Sequence, residues 1–433
     1  MRSLELIMLE KMIISLFITI LLILKIKVDI YIKISIFIII YLIIFKIIEN
    51  IFNKSKELKI YNIIYIILVF YLFIFPIIKL DNNEIDEQEN RVLSKKSQLI
   101  TQEGINLNFS IETQNWLNDH FYKRKYIINK NRKINELITG RIESELAFLG
   151  KEDWIFYKGD NSIQNYQNMN LFSEEELEKI KNNLILRKKY FNSKNIKYYT
   201  FVAPDKNRIY GAYYPDYIKK VNTNGKVKQL QLYLKNKKEE IVPTIIYPYE
   251  ILLDKSKKDL TYWKNDTHWN TYGAYIGYLE LIKEIKKDFP DIEEVKEENL
   301  NIKEELFLRE DLLKILSIND EKRINKYQNT LYKTLSLKNQ SFQYILNKGI
   351  NGKEGLITKS DKKYKVLIFR DSFTISLVPY ISETFGEVNY VWKQDINEFE
   401  DLINSYKPDI VIFEMVERYI DILKIDFILK EEN

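Results

Sequence analysis

The stretch that decides the fold is Lys365-Val-Leu-Ile-Phe-Arg-Asp-Ser-Phe373, in the last fifth of a chain of 433 residues. Its four consecutive apolar residues, 366–369, predict a strand that is buried on both faces of a sheet. The polar residues that follow predict a sharp turn from that strand into a helix. A serine at such a turn exposes its hydroxyl beside the N–H groups that open the helix. Ser372 is therefore the candidate nucleophile, and its backbone N–H is the candidate oxyanion donor.

General-base chemistry near neutral pH has few candidates here, because the chain has two histidines and no cysteine. One histidine lies in Tyr262-Trp-Lys-Asn-Asp-Thr-His-Trp-Asn270. Asp266 stands two residues before His268, so its carboxylate can accept the Nδ1–H of the imidazole and leave Nε2 free as a base. Taken singly, an Asp-x-His pair is common in loops and an Asp-Ser pair is common at helix caps. Taken together, Ser372, His268 and Asp266 form a candidate catalytic triad. The second histidine, His120, lies on a helical pattern and is predicted to be a structural hydrogen-bonding residue.

Strand and helix patterns alternate around these two stretches. Strands are predicted at 196–202, 241–246, 365–369, 388–392 and 409–413, a hairpin at 146–157, and helices at 109–137, 172–194, 227–236, 271–287, 397–405 and from Ser372 to about 385. Short strands that are apolar on both faces and alternate with helices predict a parallel sheet covered on both sides. Loops at the carboxyl ends of such strands gather at one edge, where the parts of the triad can meet.

Composition excludes several kinds of site and partner. Lys+Arg 66 against Asp+Glu 61 gives a net charge of +5, which does not indicate a nucleic-acid-binding protein. The chain shows no zinc-site pattern and no Walker A, dinucleotide-binding or EF-hand spacing. We therefore expect neither a metal nor a cofactor. The charged segment 288–345 is helix-prone and is predicted to be a helical insertion.

The first 80 residues are far more apolar than the rest of the chain. Apolar runs extend over about 12–28, 34–48 and 60–80, and a membrane-spanning helix needs about 20 such residues. We predict three transmembrane helices, with lysines at the ends of the first two reaching the interface. The distribution of lysines favours a cytoplasmic N-terminus and an extracytoplasmic domain. The alternative is one span at 60–80 preceded by an interfacial hairpin. Residues 81–145 are then a tether and helical lead-in, and 146–433 form the main domain.

Short motifs that occur in order along most of the chain resemble the SGNH-hydrolase-like proteins of the alginate O-acetyltransferase accessory family and the related DHHW proteins. The motifs are Glu89-Asn-Arg91, Asp119-His-Phe121 with Arg124, Gly150-Lys-Glu-Asp-Trp-Ile-Phe-Tyr157, Pro204-Asp-Lys206 with Tyr210 and Pro215, Asp266-Thr-His-Trp269, Asp371-Ser-Phe373 and Glu417-Arg418. The resemblance implies a flavodoxin-like, three-layer α/β/α sandwich and the triad given above.

Candidate substrate-binding residues are Lys206, Tyr210 and Arg370. Whether Lys206 lines the site or packs beneath it stays open. Arg370 stands where an SGNH hydrolase usually has glycine, so a cation lies beside the nucleophile.

The resemblance further implies serine-dependent transfer of an acyl group, most simply acetyl, to a hydroxyl of a cell-surface or exported polysaccharide. An acyl-serine would form on Ser372 and be resolved by a sugar hydroxyl. The resemblance also implies a membrane-bound O-acyltransferase partner that delivers the acyl group across the bilayer. Two alternatives stay open. One is an esterase that removes acyl groups from the same glycans. The other is a non-catalytic glycan-binding or scaffold protein, which Arg370 favours and the intact triad opposes.

Overall fold

The computed structural model of the chain describes residues 38, 39, 41–43, 46 and 80–427, the last range without 87–90, 102–103, 238–243, 319–320, 348–354 and 393–399. The chain divides into two units, Met1–Asn131 and Arg132–Asn433. Within the described ranges, no helix has the length and apolar character needed to cross a membrane. The spans predicted at 12–28, 34–48 and 60–80 lie outside the described residues, save for the few positions given, and so do Glu89 and Asn90.

In the N-terminal unit, the described residues from 80 onward include two small strand pairs and a helix. The strands β1 (Ile85–Asp86), β2 (Arg91–Val92), β3 (Ile100–Thr101) and β4 (Gly104–Ile105) pair antiparallel as β1–β2 and β3–β4. Helix α1 is Phe109–His120, and α2 (Arg124–Thr139) crosses the boundary between the units. The helix predicted at 109–137 is therefore interrupted, because the extended backbone of Phe121 ends α1. His120 places Nδ1 2.9 Å from the carbonyl of Trp116 and Nε2 3.1 Å from that of Asn83, as expected for a structural residue.

The C-terminal unit is built on a central sheet with helices on both faces. Its strands are β5 (Ala147–Leu149), β6 (Ile155–Tyr157), β7 (Lys197–Ala203), β8 (Ile245–Ile246), β9 (Leu300–Leu306), β10 (Leu331–Leu337), β11 (Gln343–Asn347), β12 (Gly355–Lys359), β13 (Lys365–Arg370), β14 (Glu387–Trp392) and β15 (Ile410–Val416). Its further helices are α3 (Ser162–Gln167), α4 (Glu174–Ser193), α5 (Lys206–Tyr210), α6 (Lys226–Lys235), α7 (Tyr249–Lys255), α8 (Thr271–Ile285), α9 (Asp311–Ile315), α10 (Glu321–Gln328), α11 (Val378–Thr384) and α12 (Glu400–Tyr406). The 3₁₀ helices Ser372–Ser376 and Glu417–Lys424 follow β13 and β15.

The central sheet is mixed rather than wholly parallel. Its strand order is β11-β12-β14-β13-β15-β7-β8. The strands from β14 to β8 run parallel, whereas β11 and β12 pair antiparallel at one edge. The prediction of a parallel sheet is therefore wrong at that edge. The reason is that only a short connection separates β11 from β12, and parallel strands need a crossover of about a dozen residues or more.

The segment 288–345 is not the helical insertion that its charge pattern predicts. β9 and β10 pair antiparallel along their full length, from Leu300 opposite Leu337 to Leu306 opposite Leu331. Short helices, α9 and α10, lie between these strands. The lysines and glutamates of β9 favour a helix locally, but pairing with a second strand decides the conformation. We call this segment the inserted hairpin.

Apolar residues on both faces of β13 hold the nucleophile turn in place. Val366 and Ile368 belong to the core on one face, which includes residues of α8 and α11. Leu367 and Phe369 belong to the core on the other face, which includes residues of α4 and α6. Successive residues of a strand point to opposite faces, which explains why four apolar residues occur in a row. The strand predicted at 365–369 is confirmed, and it leaves Ser372 at the carboxyl edge of the sheet.

Candidate active site

The three predicted triad residues lie in direct contact at the carboxyl edge of the sheet. Nε2 of His268 lies 2.7 Å from Oγ of Ser372, although 104 residues separate them in the chain. Nδ1 of His268 lies 2.7 Å from Oδ1 of Asp266. This arrangement fixes the tautomer that carries its proton on Nδ1 and leaves the Nε2 lone pair directed at the serine hydroxyl.

The loop that carries the acid and base is fastened to both neighbouring elements. Asp266 Oδ1 also accepts the backbone N–H of His268, at 2.9 Å. Asn270 caps α8 by accepting the N–H of Gly273 at 2.8 Å. The buried indole of Trp269 donates to the carbonyl of Phe373 at 3.0 Å. This last bond joins the histidine loop directly to the nucleophile turn.

Asp266 is buried but ionised. Desolvation raises the pKa of its carboxyl. The hydrogen bonds and charge of His268, with the charge of Lys206, outweigh that effect and lower the pKa below its usual range. A carboxylate that remains charged at neutral pH can stabilise the imidazolium that forms when His268 takes a proton.

Lys206 lies beneath the loop rather than at its open side. Its buried Nζ donates to the backbone carbonyls of Asp266 at 2.6 Å, Lys264 at 3.1 Å and Trp263 at 3.3 Å, and also to that of Ile155. Burial lowers the pKa of Lys206 to about 7, against the opposing charges of the nearby carboxylates. These contacts favour the interpretation that Lys206 packs beneath the site, and a substrate-binding role stays a prediction.

Tyr210 lies in the same buried layer. Its hydroxyl accepts the backbone N–H of Thr261 at 2.8 Å and lies 3.2 Å from the Thr261 hydroxyl. Its ring stacks on Trp154, with centroids 4.1 Å apart. The contacts support the start of the histidine loop, and a role in substrate binding is a prediction here too.

The nucleophile turn is held by two buried carboxyl groups. Asp371 accepts the N–H of Phe373 at 2.8 Å with one oxygen and the N–H of Val416 at 2.7 Å with the other. Glu414 accepts the N–H of Asp371 at 2.9 Å and the hydroxyl of Thr374 at 2.6 Å. Burial, and then the charge of Asp371, raise the pKa of Glu414 well above the usual carboxyl range. Burial thus favours the neutral form of Glu414, whose Oε2 accepts both hydrogen bonds beneath the turn. Sequence analysis missed it, although one acid inside the apolar run of β15 is a recognisable signal.

Arg370 and Trp392 lie side by side next to the nucleophile turn. They are register partners at the ends of β13 and β14. The guanidinium carbon lies 4.3 Å from the centroid of the Trp392 ring, a cation–π distance. The guanidinium also donates to the carbonyl of Asp371 at 3.3 Å. Trp392 is 42% exposed, so the pair presents an aromatic surface to solvent near Ser372.

A buried ion network joins the ends of β7 and β15. Arg208 pairs with Glu417, and Arg418 pairs with Asp205. Glu417 also accepts the hydroxyl of Tyr247 at 2.8 Å. Two of the sequence motifs, Pro204-Asp-Lys206 and Glu417-Arg418, therefore meet in the fold. Each guanidinium faces a carboxylate, so we assign this network to holding the carboxyl edge in shape.

A further carboxylate, which was not identified from the sequence, reaches His268 from the inserted hairpin. Asp311, the first residue of α9, accepts the hydroxyl of Thr267 at 3.3 Å. Ligand atoms of Asp266, His268 and Asp311 lie within 4.8 Å of one another, a spacing that could hold a divalent cation. Such a cation would compete with Asp266 for Nδ1 or with Ser372 for Nε2. The observed hydrogen bonds fit a triad better than a metal site.

An α/β fold with a mixed sheet and a Ser-His-Asp arrangement at its carboxyl edge defines the chain as an SGNH hydrolase-like protein. Residues 147–363 match the family described as SGNH hydrolase-like domain, acetyltransferase AlgX, and the chain belongs to that family. The family resemblance indicated by the motifs is confirmed. The matched range includes Asp266 and His268 and ends before Ser372. No curated protein sequence matches the chain.

Several solved structures resemble the chain. Bacillus cereus PatB1 with a sulfonyl adduct is 13% identical over 64% of this chain and 99% of its own, with a TM-score of 0.46. A DHHW family protein from Eubacterium siraeum is 14% identical over 67% of this chain and 98% of its own, with a TM-score of 0.44. The O-acetyltransferase domain of Pseudomonas putida AlgJ is 12% identical over 65% of this chain and 94% of its own, with a TM-score of 0.40.

Proposed function

We propose that the protein is a serine-dependent O-acyltransferase, most simply an O-acetyltransferase, that acts on a cell-surface or exported polysaccharide. The observation that carries the proposal is the unbroken hydrogen-bond relay from Asp266 through His268 to Ser372, with 2.7 Å at each step. Membership of a family described as acetyltransferase supports the acyl group. Acyl transfer requires a nucleophile, a base and an orienting acid, and we propose Ser372, His268 and Asp266 for these roles.

The reaction proceeds in two halves. In the first, His268 Nε2 takes the proton of Ser372 while Oγ attacks the acyl carbonyl, and the imidazolium then protonates the leaving group. In the second, His268 deprotonates a sugar hydroxyl, whose oxygen attacks the acyl-serine. The new sugar ester leaves, and the imidazolium returns the proton to Ser372. Asp266 stabilises the imidazolium in both halves.

The acceptor is proposed to bind across Arg370 and Trp392. The exposed ring of Trp392 offers an apolar face on which a sugar ring can stack. Arg370 holds that ring from behind, and its remaining donors suit hydroxyl or carboxylate oxygens. Arg370 and Trp392 end β13 and β14, and Ser372 follows Arg370 by two residues, which supports an acceptor site beside the nucleophile turn.

Location and acyl supply are parts of the same proposal. The apolar runs within the first 80 residues support a multi-pass membrane protein whose C-terminal domain lies outside the cytoplasm. No soluble acyl-CoA is expected there. We propose that a membrane-bound O-acyltransferase delivers the acyl group to Ser372.

An esterase acting on the same glycans is the second candidate. It would use the same triad, with water in place of the sugar hydroxyl. The His268 side chain is 26% exposed, so water can reach the imidazole. This exposure favours hydrolysis of the acyl-serine. The two activities differ only in the acceptor that resolves the acyl-serine.

Product analysis separates these candidates. The full-length chain, purified in mild detergent, is incubated with p-nitrophenyl acetate with and without a panel of glycan oligosaccharides, and with Ser372→Ala as the control. The proposal predicts acetylated oligosaccharide that depends on Ser372. Acetate release at the same rate with every acceptor, and no acetylated sugar, would assign the protein as an esterase. Identical results for Ser372→Ala and wild type would remove both activities and leave the scaffold alternative.

A further inference from the structure

We infer that Asp311 is a positioning residue for His268. It is a second carboxylate, carried by the inserted hairpin, that orients the imidazole of the triad and favours its protonated form. The inference rests on the proposed function, because it concerns the base of the same site. The Thr267 hydroxyl connects the two groups. It donates to Asp311 at 3.3 Å, and its oxygen lies 3.1 Å from Nδ1 of His268. Asp311 thus acts on the imidazole both through a hydrogen-bonded neighbour and through its own charge.

The placement of Asp311 is built into the fold. The residue after it, Leu312, donates its N–H to the carbonyl of Asn265 at 3.1 Å. Leu312 is fully buried in a small core that contains Ala147 and Ile155 of the β5–β6 pair. From the same insertion, the Tyr332 hydroxyl of β10 accepts the N–H of Lys264 at 3.0 Å. Two separate elements of the inserted hairpin are therefore bonded to the histidine loop, which fixes Asp311 against it.

The charges that face His268 explain what a second carboxylate does. Asp266 lies on the same loop, and Asp311 faces the loop from α9. Lys206 of α5 lies beneath, bonded to the Asp266 carbonyl. A buried ammonium opposes formation of the imidazolium, and each carboxylate favours it. Burial, and then the charge of Asp266, raise the pKa of the Asp311 carboxyl. When ionised, Asp311 places a second negative charge beside the imidazolium, opposite in sign to the charge of Lys206.

Asp311→Asn tests the charge while keeping an oxygen that can accept the Thr267 hydroxyl. The full-length chain is assayed with p-nitrophenyl acetate from pH 5 to pH 9, with kcat and KM determined separately. A carboxylate near an imidazole stabilises its protonated form, so removing the carboxylate moves the pH dependence of catalysis to lower pH. We therefore expect the acidic limb of kcat to move about one unit to lower pH and kcat at the plateau to fall several-fold, with KM little changed.

Glu310→Gln is the matched control. Glu310 is the adjacent residue, is exposed and pairs with Lys314 at 3.3 Å, so the variant removes the same charge outside the site. It should keep the wild-type profile, and Asp311→Glu should move the limb back towards wild type. If the acidic limb of the kcat–pH profile does not move in Asp311→Asn and only thermal stability falls, Asp311 merely anchors α9. That result would overturn the inference.

A second readout does not need activity. The chain has two histidines, so the His268 imidazole signal can be followed by NMR titration and assigned with His120→Asn. Asp311→Asn should move the midpoint of that titration to lower pH, whatever reaction the site catalyses. If wild type shows no Ser372-dependent turnover but the titration moves, the proposed function fails and the inference stands. An unchanged titration overturns the inference by itself.

Discussion

Replacing Lys206 with methionine tests whether a buried ammonium holds the catalytic loop. In the wild-type chain Nζ lies within hydrogen-bonding distance of four backbone carbonyls, among them Asp266 at 2.6 Å and Lys264 at 3.1 Å, and its three N–H groups are shared among them. Methionine keeps an unbranched stem that can pack against the Trp154 and Phe156 rings, which the ammonium now approaches. The variant therefore removes the donors and the charge with little change in apolar packing.

The expected loss of stability follows from the backbone carbonyls that no longer have a hydrogen-bond donor. A buried carbonyl without a donor costs about 1–3 kcal/mol, and an ammonium can serve three at once. The substitution also removes the cost of burying the charge, which is what lowers the pKa of Lys206 to about 7. We expect the free energy of unfolding to fall by about 3 kcal/mol. This is near the lower end of the cost of removing one partner from a buried charged pair. For a unit of about 300 residues, that corresponds to a fall of about 5 °C in Tm.

Catalysis should fall with stability, because the released carbonyl belongs to Asp266. A looser Asp266 lengthens its bond to Nδ1, and each 1.4 kcal/mol lost from the transition state costs about tenfold in kcat. Thermal unfolding and p-nitrophenyl acetate kinetics measure the two effects. Lys264→Met is the control, since its Nζ donates to the carbonyl of Glu152 at 3.2 Å at the surface. Wild-type Tm and kcat in Lys206→Met would refute the reasoning. A raised acceptor KM with unchanged Tm would instead assign Lys206 to substrate binding.

Three further predictions concern Glu414 beneath the nucleophile turn, metal binding by the Asp266–His268–Asp311 cluster, and binding of the acceptor sugar at Trp392. Glu414→Gln should match wild-type stability in urea at pH 5. The folded-state pKa of Glu414 is raised, so the free energy of unfolding of wild type should fall as the pH rises towards that value. The variant should lose less, and an equal fall in both proteins would contradict the raised pKa of Glu414. EDTA should leave esterase turnover intact, whereas loss restored by added Zn²⁺ would assign Asp266, His268 and Asp311 to a metal. Trp392→Ala should raise the acceptor KM several-fold without changing p-nitrophenyl acetate hydrolysis; a parallel loss of both would indicate a structural role.

The parts of the site that the sequence predicts are those with strong local signals. The four apolar residues before Ser372 predict a strand that is buried on both faces, and this strand is β13 in the structure. His268 stands out because a chain with two histidines offers few bases. Their contact follows from a general property of parallel strands, whose carboxyl ends lie at one edge of a sheet.

The parts that the sequence does not predict depend on contacts between distant residues. The strands β9 and β10 carry lysine and glutamate, and nothing local distinguishes them from a charged helix until they pair. Asp311 is one acid among many in that segment, and only the docking of α9 brings it to His268. Glu414 lies just beyond the predicted end of its strand, and its role depends on the turn that it supports.

Lys206 shows the same limit in a residue that the sequence did single out. The motif Pro204-Asp-Lys206 marks the position, but a lysine beside a catalytic loop can face either the substrate or the backbone. The direction of its side chain depends on four carbonyls from two other segments of the chain. Position can be read from a motif, whereas orientation requires the fold.

The most direct test of the central claim is to trap the acyl-enzyme. The full-length chain is mixed with p-nitrophenyl acetate, quenched at short times and measured by intact mass, and peptide mapping then locates the adduct. We predict one acetyl group on Ser372 that is absent from Ser372→Ala and strongly reduced in His268→Ala. A chase with the acceptor glycan should remove this acetyl group as the acetylated sugar appears. A chain that hydrolyses the ester while carrying its acetyl group on another residue, or that acetylates equally in Ser372→Ala, would contradict the central claim.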